Sequence, residues 1–210
     1  MRIIGSKSML AVALSRLEGF HKPRLKQEQY LMDSEIGASV LWNAYLLGDI
    51  SGRVIADLGC GTGILGIGAL LLGAESVYFV DSDKDALTIT KNNISKVKSE
   101  GFKLGHAEFK CQDVGKLKIK PEIVLQNPPF GTKVRHMDIN FLEKALKMAN
   151  VVYSFHKSET KGYLSSFSAK NGFEITHLWD FKFPIKATFD FHRRRIHRIN
   201  VSCLRLCRLP

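Results

Sequence analysis

Short apolar runs alternate with amphipathic segments along most of the chain. A short uninterrupted apolar run is typical of a strand buried on both faces, whereas apolar positions recurring at helical spacing are typical of a helix. The pattern predicts strands at 54–57, 77–80, 107–111, 122–125 and 151–155, and helices at about 6–18 and at 38–47, 64–72, 85–97 and 141–148. Strands that alternate with helices in this way indicate an α/β fold with a doubly wound, mostly parallel sheet covered on both faces.

The end of the sequence breaks this alternation. Two long strand-like runs, 175–183 and 199–206, are separated by polar residues that show no helical pattern. Such a pair predicts two antiparallel strands that close one edge of the sheet. The chain contains neither an internal repeat nor a low-complexity linker, so we predict a single domain over 1–210, with 1–35 as an N-terminal arm.

The balance of charge suggests a partner. Lys and Arg number 31 against 20 Asp and Glu, which gives a formal net charge of +11 over 210 residues. A field of this sign favours a polyanion such as RNA or DNA, because basic side chains release counterions from phosphates. A basic surface that is merely solvated remains the alternative at this point.

Targeting and redox features indicate a reducing compartment. The apolar stretch at 9–14 is too short to span a membrane, and no secretion signal is evident. The cysteines show no CxxC spacing, so neither a metal site nor a disulfide framework is predicted from Cys60, Cys111, Cys203 and Cys207. We expect a cytoplasmic protein, or a nuclear or nucleolar one if the source is eukaryotic.

A glycine cluster follows the first predicted strand. The segment Asp57-Leu58-Gly59-Cys60-Gly61-Thr62-Gly63 lies where that strand turns into a helix, which is where doubly wound sheets bind ligands. Alternate glycines let the backbone approach a ligand more closely than a Cβ would permit. Asp81, after the second strand, is placed to bind ribose hydroxyls, and Asp113, after the third, could bind an adenine amino group. These features predict a site for an adenosine-containing cofactor.

The same cluster also fits a second pattern. Gly61-Thr62-Gly63-Ile64-Leu65-Gly66 matches the GxGxxG sequence of nicotinamide and flavin binders. In those proteins the first glycine follows the strand almost directly, so that the pyrophosphate meets the helix N-terminus. Here Asp57 and three residues come between. An acid would repel a pyrophosphate but can face the ammonium group of a methionine moiety, so we favour a sulfonium cofactor over a dinucleotide or a purely structural turn.

A proline-containing motif directly follows the fourth predicted strand. Its two prolines make a stiff turn at the same edge of the sheet as the glycine loop. If the Asn127 side-chain oxygen and the Pro128 carbonyl each accept one N–H, the lone pair of an amino group can be directed at the cofactor methyl. Phe130 can stack on a target base. The predicted catalytic residues are therefore Asn127, Pro128, Pro129 and Phe130, with a turn of no catalytic duty as the alternative.

These motifs resemble those of a known family. Residues 57–63, Asp81 and 127–130 are similar to class I methyltransferase motifs, and Asn-Pro-Pro-Phe is similar to the signature of N6-adenine and related amino methyltransferases. Nearly the whole chain resembles the methyltransferase-like protein five family. The matching segments are Gly19-Phe20, Lys22-Pro23, Glu28-Gln29-Tyr30, Asn127 through Lys133, Phe141-Leu142, Ala145-Leu146, Ser154 with His156-Lys157-Ser158, and Phe191-His192 with the basic residues after it.

The resemblance implies a fold, an activity and a set of contacts. The fold is a Rossmann-like class I methyltransferase with a seven-stranded, mostly parallel sheet and an antiparallel last strand. The activity is N6-methylation of one adenosine in small-subunit ribosomal RNA, with S-adenosylmethionine as cofactor. The implied partner is a small zinc-binding methyltransferase activator protein. The implied cofactor contacts are Gln29 from the arm, Asp57, Gly59, Gly61, Ile64, Asp81, Asp113 and Asn127.

Two positions depart from the family pattern. Tyr30-Leu31-Met32 stands where the family usually has Tyr-Pro-Thr, so the cofactor contact of that threonine is missing. Thr62 replaces a cysteine often found at its position. The first departure concerns the arm and leaves the expected chemistry unchanged.

A basic segment near the C-terminus is the predicted RNA contact. Arginines at this density suit phosphate binding, and Phe191 can support the pocket for the target base. The alternative for this segment is a solvated hairpin loop, and for the region of Lys157 a plain loop. The predicted RNA-binding residues are Lys133, Lys157, Phe191, His192, Arg193, Arg194 and Arg195.

The Asn-Pro-Pro motif identifies an amino acceptor rather than the molecule that carries it. Enzymes with this motif also methylate the glutamine amide of protein release factors, so an N5-glutamine protein methyltransferase is one alternative function. A non-catalytic RNA-binding assembly factor that retains the fold is another. The choice of adenine in ribosomal RNA depends on the basic charge and on the family resemblance.

Overall fold

A single sheet organises the molecule. The computed structural model describes residues 2–20, 31–130, 137–185 and 197–210. Its seven strands lie in the order β3-β2-β1-β4-β5-β7-β6. β1 to β5 pair in parallel, and β7 runs antiparallel to both β5 and β6. The bounds are β1 Val54–Leu58, β2 Ser76–Asp81, β3 His106–Cys111, β4 Ile123–Gln126, β5 Val151–Lys157, β6 Phe173–Ile185 and β7 His197–Arg208. The predicted fold class, with its antiparallel last strand, is confirmed.

Helices cover both faces of this sheet. Side chains of α1 to α4 enter the larger buried cluster on one face, and those of α5 and α6 enter the second cluster on the other. In the described part of the chain, no helix is long and apolar enough to cross a bilayer. The helices are α1 Lys7–Ser15, α2 Ser34–Leu46, α3 Ile64–Leu71, α4 Lys84–Ser99, α5 Met137–Met148 and α6 Lys161–Lys170, and short 3₁₀ turns lie at Val114–Lys116 and Ser158–Thr160.

The observed helices differ from the predicted ones mainly where they begin. α2 starts earlier than residue 38, because the Asp33 carboxylate accepts the backbone N–H groups of Glu35 and Ile36 at 3.0 and 3.1 Å and so caps the first turn. α5 likewise starts at Met137, ahead of the apolar periodicity. The sequence pattern gave no helix over Lys161–Lys170, since this serine-rich segment buries only two side chains.

α3 packs closely against its neighbours because two of its residues lack side chains. A Cβ on Gly66 would lie 2.4 Å from Cε1 of Phe79 in β2, and one on Gly68 would lie 2.4 Å from Cδ1 of Leu41 in α2. A larger residue at Gly66 would therefore have to displace Phe79 of the sheet, and one at Gly68 would have to displace Leu41 of α2. This packing fixes where the glycine loop, which leads into α3, stands relative to β1 and β2.

The carboxyl ends of the parallel strands meet at one edge. Leu58, the last residue of β1, is in register with Val80 of β2 on one side and with Gln126 of β4 on the other. The loops that follow these strands therefore emerge side by side. This is the edge at which doubly wound sheets bind ligands, as the sequence predicts.

Candidate active site at the carboxyl edge of the sheet

The glycine loop adopts a backbone that favours glycine. Gly59, Gly61 and Gly63 have φ values of +65°, +55° and +84°, in the left-handed region that side chains disfavour. At Gly63 a Cβ would also lie 2.5 Å from Cγ2 of Thr90. The alternate glycines are thus needed for the turn itself, and their contact with a cofactor stays a prediction.

Helix α4 holds this loop in place from the side. The Thr90 hydroxyl donates to the carbonyl of Gly61 at 2.8 Å, and the Asn93 amide donates to the carbonyl of Thr62 at 3.0 Å. Asn93 also accepts from the N–H of Glu18 at 2.7 Å and donates to its carbonyl at 3.0 Å. Two polar side chains therefore connect the loop to the segment after α1. Neither residue is predicted from the sequence, because a buried Thr and Asn in a helix carry no local signature.

Asp81 lies against the glycine loop, as predicted. Its carboxylate accepts the N–H of Gly61 at 2.9 Å and the N–H of Asp83 at 2.9 Å. Burial raises the pKa of Asp81 above its usual value, although these backbone donors oppose the shift. The side chain is thus positioned at the rim of the loop, where a ribose would meet it.

Asp57 lies beneath the loop and is only 1% exposed. Its carboxylate accepts the N–H of Gly66 in the first turn of α3 at 2.9 Å. Burial raises its pKa to about 7; the Gly66 hydrogen bond opposes this rise and the nearby Asp81 charge adds to it. A cation bound nearby would favour the ionised form, so the site is electrostatically suited to an ammonium group.

Two aromatic rings border the loop from other parts of the chain. A Cβ on Gly59 would lie 3.0 Å from Cε1 of Phe141 in α5, and a Cβ on Gly61 would lie 3.0 Å from Cζ of Phe20. The family resemblance includes both phenylalanines, but no role was predicted for either. Only the folded chain shows that they stand over the glycines.

Two other predicted cofactor residues lie at the same edge. Asp113 is exposed and accepts the N–H of Gly115 at 2.7 Å, so it caps the 3₁₀ turn after β3. Ile64, the first residue of α3, is 8% exposed. Their contacts with a cofactor remain predictions, and the predicted Gln29 contact lies outside the described residues.

The predicted catalytic loop, residues 127–130, begins with an acceptor that has no hydrogen-bond partner among the described residues. Oδ1 of Asn127 is shielded from solvent and makes no hydrogen bond with any residue that the structure describes. Pro128 beside it is buried, and Pro129 is partly exposed. A shielded carbonyl oxygen of this kind requires a donor. The arrangement agrees with the predicted role of Asn127 as a hydrogen-bond acceptor for an amino group.

Phe130 is placed differently from the prediction. Its ring is 7% exposed and packs edge-to-face on Phe183 of β6, with ring centroids 6.2 Å apart and an interplanar angle of 88°. In this conformation the ring has little free surface for stacking on a base. This contact joins the predicted catalytic loop to β6, the last strand in the sheet order. Burying an aromatic ring against another ring is more favourable than exposing it to solvent.

The predicted RNA-binding residues are described only in part. Lys157 ends β5 at the same edge, is 31% exposed and lies 3.8 Å from the Glu159 carboxylate. Among the described residues no cluster of His, Cys, Asp and Glu could hold a metal ion. The residues that lie outside the described part are Lys133, Phe191, His192, Arg193, Arg194 and Arg195.

Related proteins match the chain over nearly its whole length. The rRNA N6-adenosine-methyltransferases METTL5 of Danio rerio and Drosophila melanogaster are 30% and 32% identical to it; the matches cover 93% and 90% of this chain, and 96% and 90% of those proteins. The chain belongs to the METTL5 family. An uncharacterized protein of Methanocaldococcus jannaschii is 31% identical over 97% of this chain and 94% of its own length.

Solved structures agree with METTL5 family membership. A candidate RNA methyltransferase from Pyrococcus horikoshii is 40% identical and superposes with a TM-score of 0.88, over 99% of this chain and 100% of the other. Magnesium protoporphyrin IX methyltransferase from Synechocystis, crystallised with S-adenosylmethionine, is 16% identical with a TM-score of 0.64 over 99% of each chain. At that identity the likeness concerns the fold alone.

A family model matches only the central part of the chain. The model of ribosomal protein L11 methyltransferase (PrmA) covers residues 44–127. This stretch contains the glycine loop and the acids around it, and it ends at Asn127.

Proposed function

We propose that this protein transfers a methyl group from S-adenosylmethionine to N6 of one adenosine in small-subunit ribosomal RNA. The observation that carries the proposal is the Asn127 Oδ1 atom, a shielded acceptor with no partner among the described residues, at the edge that holds the glycine loop. An unpaired buried acceptor costs about 1–3 kcal/mol. An N–H from a bound amino group would remove that cost.

The residues around the glycine loop fit S-adenosylmethionine. Gly59 and Gly61 would approach the cofactor with backbone atoms, the Asp81 carboxylate would bind ribose, and Asp57 would face the ammonium group directly or through water. The buried Asp57, with its pKa raised to about 7, gains most from a cation, because the ammonium group would stabilise its ionised form.

The acceptor side of the site supplies position rather than acid or base. An exocyclic adenine nitrogen is a poor nucleophile, since its lone pair is delocalised into the ring. Accepting one of its N–H groups at Asn127 Oδ1, on a loop stiffened by Pro128 and Pro129, would orient the lone pair. S-adenosylmethionine supplies the methyl on a sulfonium, so transfer breaks one C–S bond, forms one C–N bond and releases a proton.

Two observations favour RNA over a protein acceptor. The similarity to rRNA methyltransferases covers nearly the whole chain, whereas the match to the ribosomal protein methyltransferase model ends at Asn127. The net charge of +11 also suits a polyanionic substrate. Phosphate contacts through Lys133, Lys157 and the 191–195 segment are part of this proposal.

We also propose a small zinc-binding activator protein as partner. β3 lies at one end of the strand order and pairs with β2 alone among the described strands. An unpaired strand edge is the surface at which a second chain adds a strand of its own. Hydrogen exchange of the purified heterodimer tests this: amides of His106–Cys111 should become protected relative to the chain alone. Unchanged exchange throughout β3 would place the partner elsewhere.

The experiment that tests the activity separates the two acceptors. The protein, with its activator if required, is incubated with tritiated cofactor and either small-subunit ribosomal RNA or release-factor protein, and digested RNA is examined for N6-methyladenosine. We expect label in RNA only. Asn127→Ala should abolish transfer and leave cofactor affinity within a few-fold, whereas Asn92→Ala, on the exposed side of α4, should behave as wild type. Label confined to protein would contradict the proposal.

A further inference from the structure

A chain of buried polar side chains lies directly behind the start of the catalytic loop. Gln126, Ser154 and His156 are each 0% exposed. Gln126 of β4 and Ser154 of β5 are register partners, and the Gln126 amide donates to the Ser154 hydroxyl at 2.9 Å. The same hydroxyl lies 2.7 Å from Nε2 of His156, two residues further along β5. Hydrogen bonds thus connect His156, inside β5, to Gln126, which directly precedes Asn127.

The residue at the far end of this row of hydrogen-bonded side chains sets the direction of its hydrogen bonds. Nδ1 of His156 is buried and lies 3.5 Å from Oδ2 of Asp138, in the first turn of α5, and it makes no hydrogen bond with any described residue. Partial burial acts to raise the pKa of Asp138, but the electrostatic interaction with the nearby His156 ring, together with the backbone N–H groups of Ile139 and Asp138, outweighs it, so the pKa of Asp138 is lowered. A carboxylate at this position favours the imidazole tautomer with its proton on Nδ1. In that tautomer Nε2 accepts from the Ser154 hydroxyl, 2.7 Å away.

This proton order fixes the orientation of the Gln126 amide. Because the Ser154 proton is directed at His156, the serine oxygen accepts, and it must receive an N–H from Gln126 rather than face its carbonyl oxygen. Oε1 of Gln126 is consequently left without a hydrogen bond to any described residue, although it is buried. Among the described residues the Gln126 amide is therefore held through its N–H group alone.

We propose that His156 is a positioning residue for methyl transfer: through Ser154 it fixes Gln126, and with it the point at which β4 opens into Asn127. The proposal rests on the proposed function and deepens it. The acceptor atom of Asn127 has no described partner of its own, so its direction depends on the backbone on either side. Pro128 fixes one side, and the locked Gln126 side chain fixes the other.

Stability alone does not require these residues. Polar side chains buried at a sheet position contribute little net stability compared with apolar residues of similar shape, since each must be desolvated before it is hydrogen-bonded. Elsewhere in the interiors of β4 and β5, Val124 and Val152 occupy the same face, in register with each other. The polar chain begins only at the catalytic edge, where orientation affects chemistry.

The test measures turnover, affinity and folding separately in the same variants. Gln126→Met and His156→Leu remove the hydrogen bonds with little change in volume, and His156→Gln retains a donor or acceptor near the Nε2 position. We expect kcat to fall at least tenfold in the first two, with affinity for the cofactor within about twofold of wild type, and to recover largely in His156→Gln. Ser168→Ala on α6 is the matched control, because this buried hydroxyl has no described partner.

Combining the changes distinguishes a positioning chain from separate structural effects. Gln126→Met with His156→Leu should be no slower than the slower single variant, since both interrupt one chain. An unchanged kcat, an additive double variant, or a loss of cofactor affinity in step with the melting temperature would each overturn the proposal. If His156→Leu does not fold, Ser154→Ala and Gln126→Met decide. If the wild-type protein labels protein instead of RNA, the proposed function fails, and the same kcat ratios measured on that acceptor still test the positioning.

Discussion

The carboxylate of Asp81 accepts the backbone N–H of Gly61 at 2.9 Å, across the gap between the loops after β2 and β1. This hydrogen bond holds the rim of the glycine loop beside the carboxylate that is proposed to bind ribose. The protein's own hydrogen bond therefore holds the loop and this acid together.

Asp81→Asn should weaken S-adenosylmethionine binding by about tenfold, equivalent to about 1.4 kcal/mol. The amide keeps one acceptor but loses the charge that strengthens hydrogen bonds to both Gly61 and ribose. Calorimetric titration measures the change. Glu75→Gln, at the exposed turn before β2, is the charge-matched control and should bind as wild type does. Equal affinity of the Asp81 variant and wild type would remove Asp81 from the cofactor site.

Affinity for S-adenosylmethionine should rise with pH through about 7. Burial raises the pKa of Asp57 from its ordinary value of 3.8 to about 7. Between these pH values the folded protein retains a proton that the unfolded chain has lost, so this group's contribution to stability falls as the pH rises. A bound ammonium group favours the carboxylate, so binding releases that proton. Between about pH 6 and pH 8 the dissociation constant of wild type should fall relative to that of Asp57→Asn. Parallel profiles would show that Asp57 does not meet the cation, because the cofactor's own amino group titrates equally in both proteins.

Gly61→Ala should both destabilise the protein and block the cofactor. Its φ of +55° costs a side chain about 1–2 kcal/mol, and the new Cβ would lie 3.0 Å from the Phe20 ring. Gly162→Ala in α6 is the control, because a Cβ there meets nothing within 4 Å; it should be neutral or stabilising by up to about 1 kcal/mol. Thermal melting with and without cofactor distinguishes the two. A Gly61 variant that gains a normal cofactor-induced shift in melting temperature would be at odds with this view of the loop.

A buried ion pair far from the glycine loop should matter for folding alone. Arg205 of β7 donates to the Asp49 carboxylate at 2.7 Å, and the Tyr153 hydroxyl donates to the same carboxylate at 2.5 Å. Burial and the Asp49 charge raise the pKa of Tyr153, which keeps its proton. Arg205→Met should lower the free energy of unfolding by about 3 kcal/mol, because the buried Asp49 carboxylate loses its counter-charge and keeps only the Tyr153 hydroxyl as a side-chain donor. Denaturant unfolding measures this, and cofactor affinity should not change.

The exposed pair of Arg53 and Glu122 provides the comparison for that experiment. Their side chains are 48% and 45% exposed and 3.0 Å apart. Arg53→Met should cost less than about 1 kcal/mol, because solvent screens the interaction. Similar losses of unfolding free energy in the Arg53 and Arg205 variants would show that burial of the Arg205–Asp49 pair contributes nothing.

Replacing Arg193, Arg194 and Arg195 together by alanine should weaken RNA binding and flatten its dependence on salt. Each lost phosphate contact lowers the slope of log affinity against log salt by about 0.9. Binding is measured at several ionic strengths, against a variant with the same change of charge on α4, at the exposed residues Lys84, Lys91 and Lys98. An unaltered slope in the arginine variant would make the 191–195 segment a solvated loop.

Local sequence information was sufficient for most of the architecture. A continuous apolar run such as Val77–Val80 is typical of a strand that is covered on both faces, so this pattern alone predicts strands of a covered parallel sheet. The glycine cluster and the Asn-Pro-Pro turn impose their own backbone geometry, because φ is restricted or released by the residues themselves. Their common edge followed from the strand order expected of such a sheet.

Contacts between distant residues required the tertiary structure. Phe130 turns inward because Phe183, more than fifty positions away, offers an aromatic partner across the strand order. Phe20 and Phe141 reach the glycine loop only through the packing of separate elements.

The buried chain of Gln126, Ser154 and His156 depends in the same way on the register of β4 with β5. The sequence by itself determined the fold class and the chemistry of the motifs, because both are set by local burial and backbone preference. The tertiary structure decided which side chains support those motifs, because register and packing are properties of the whole sheet.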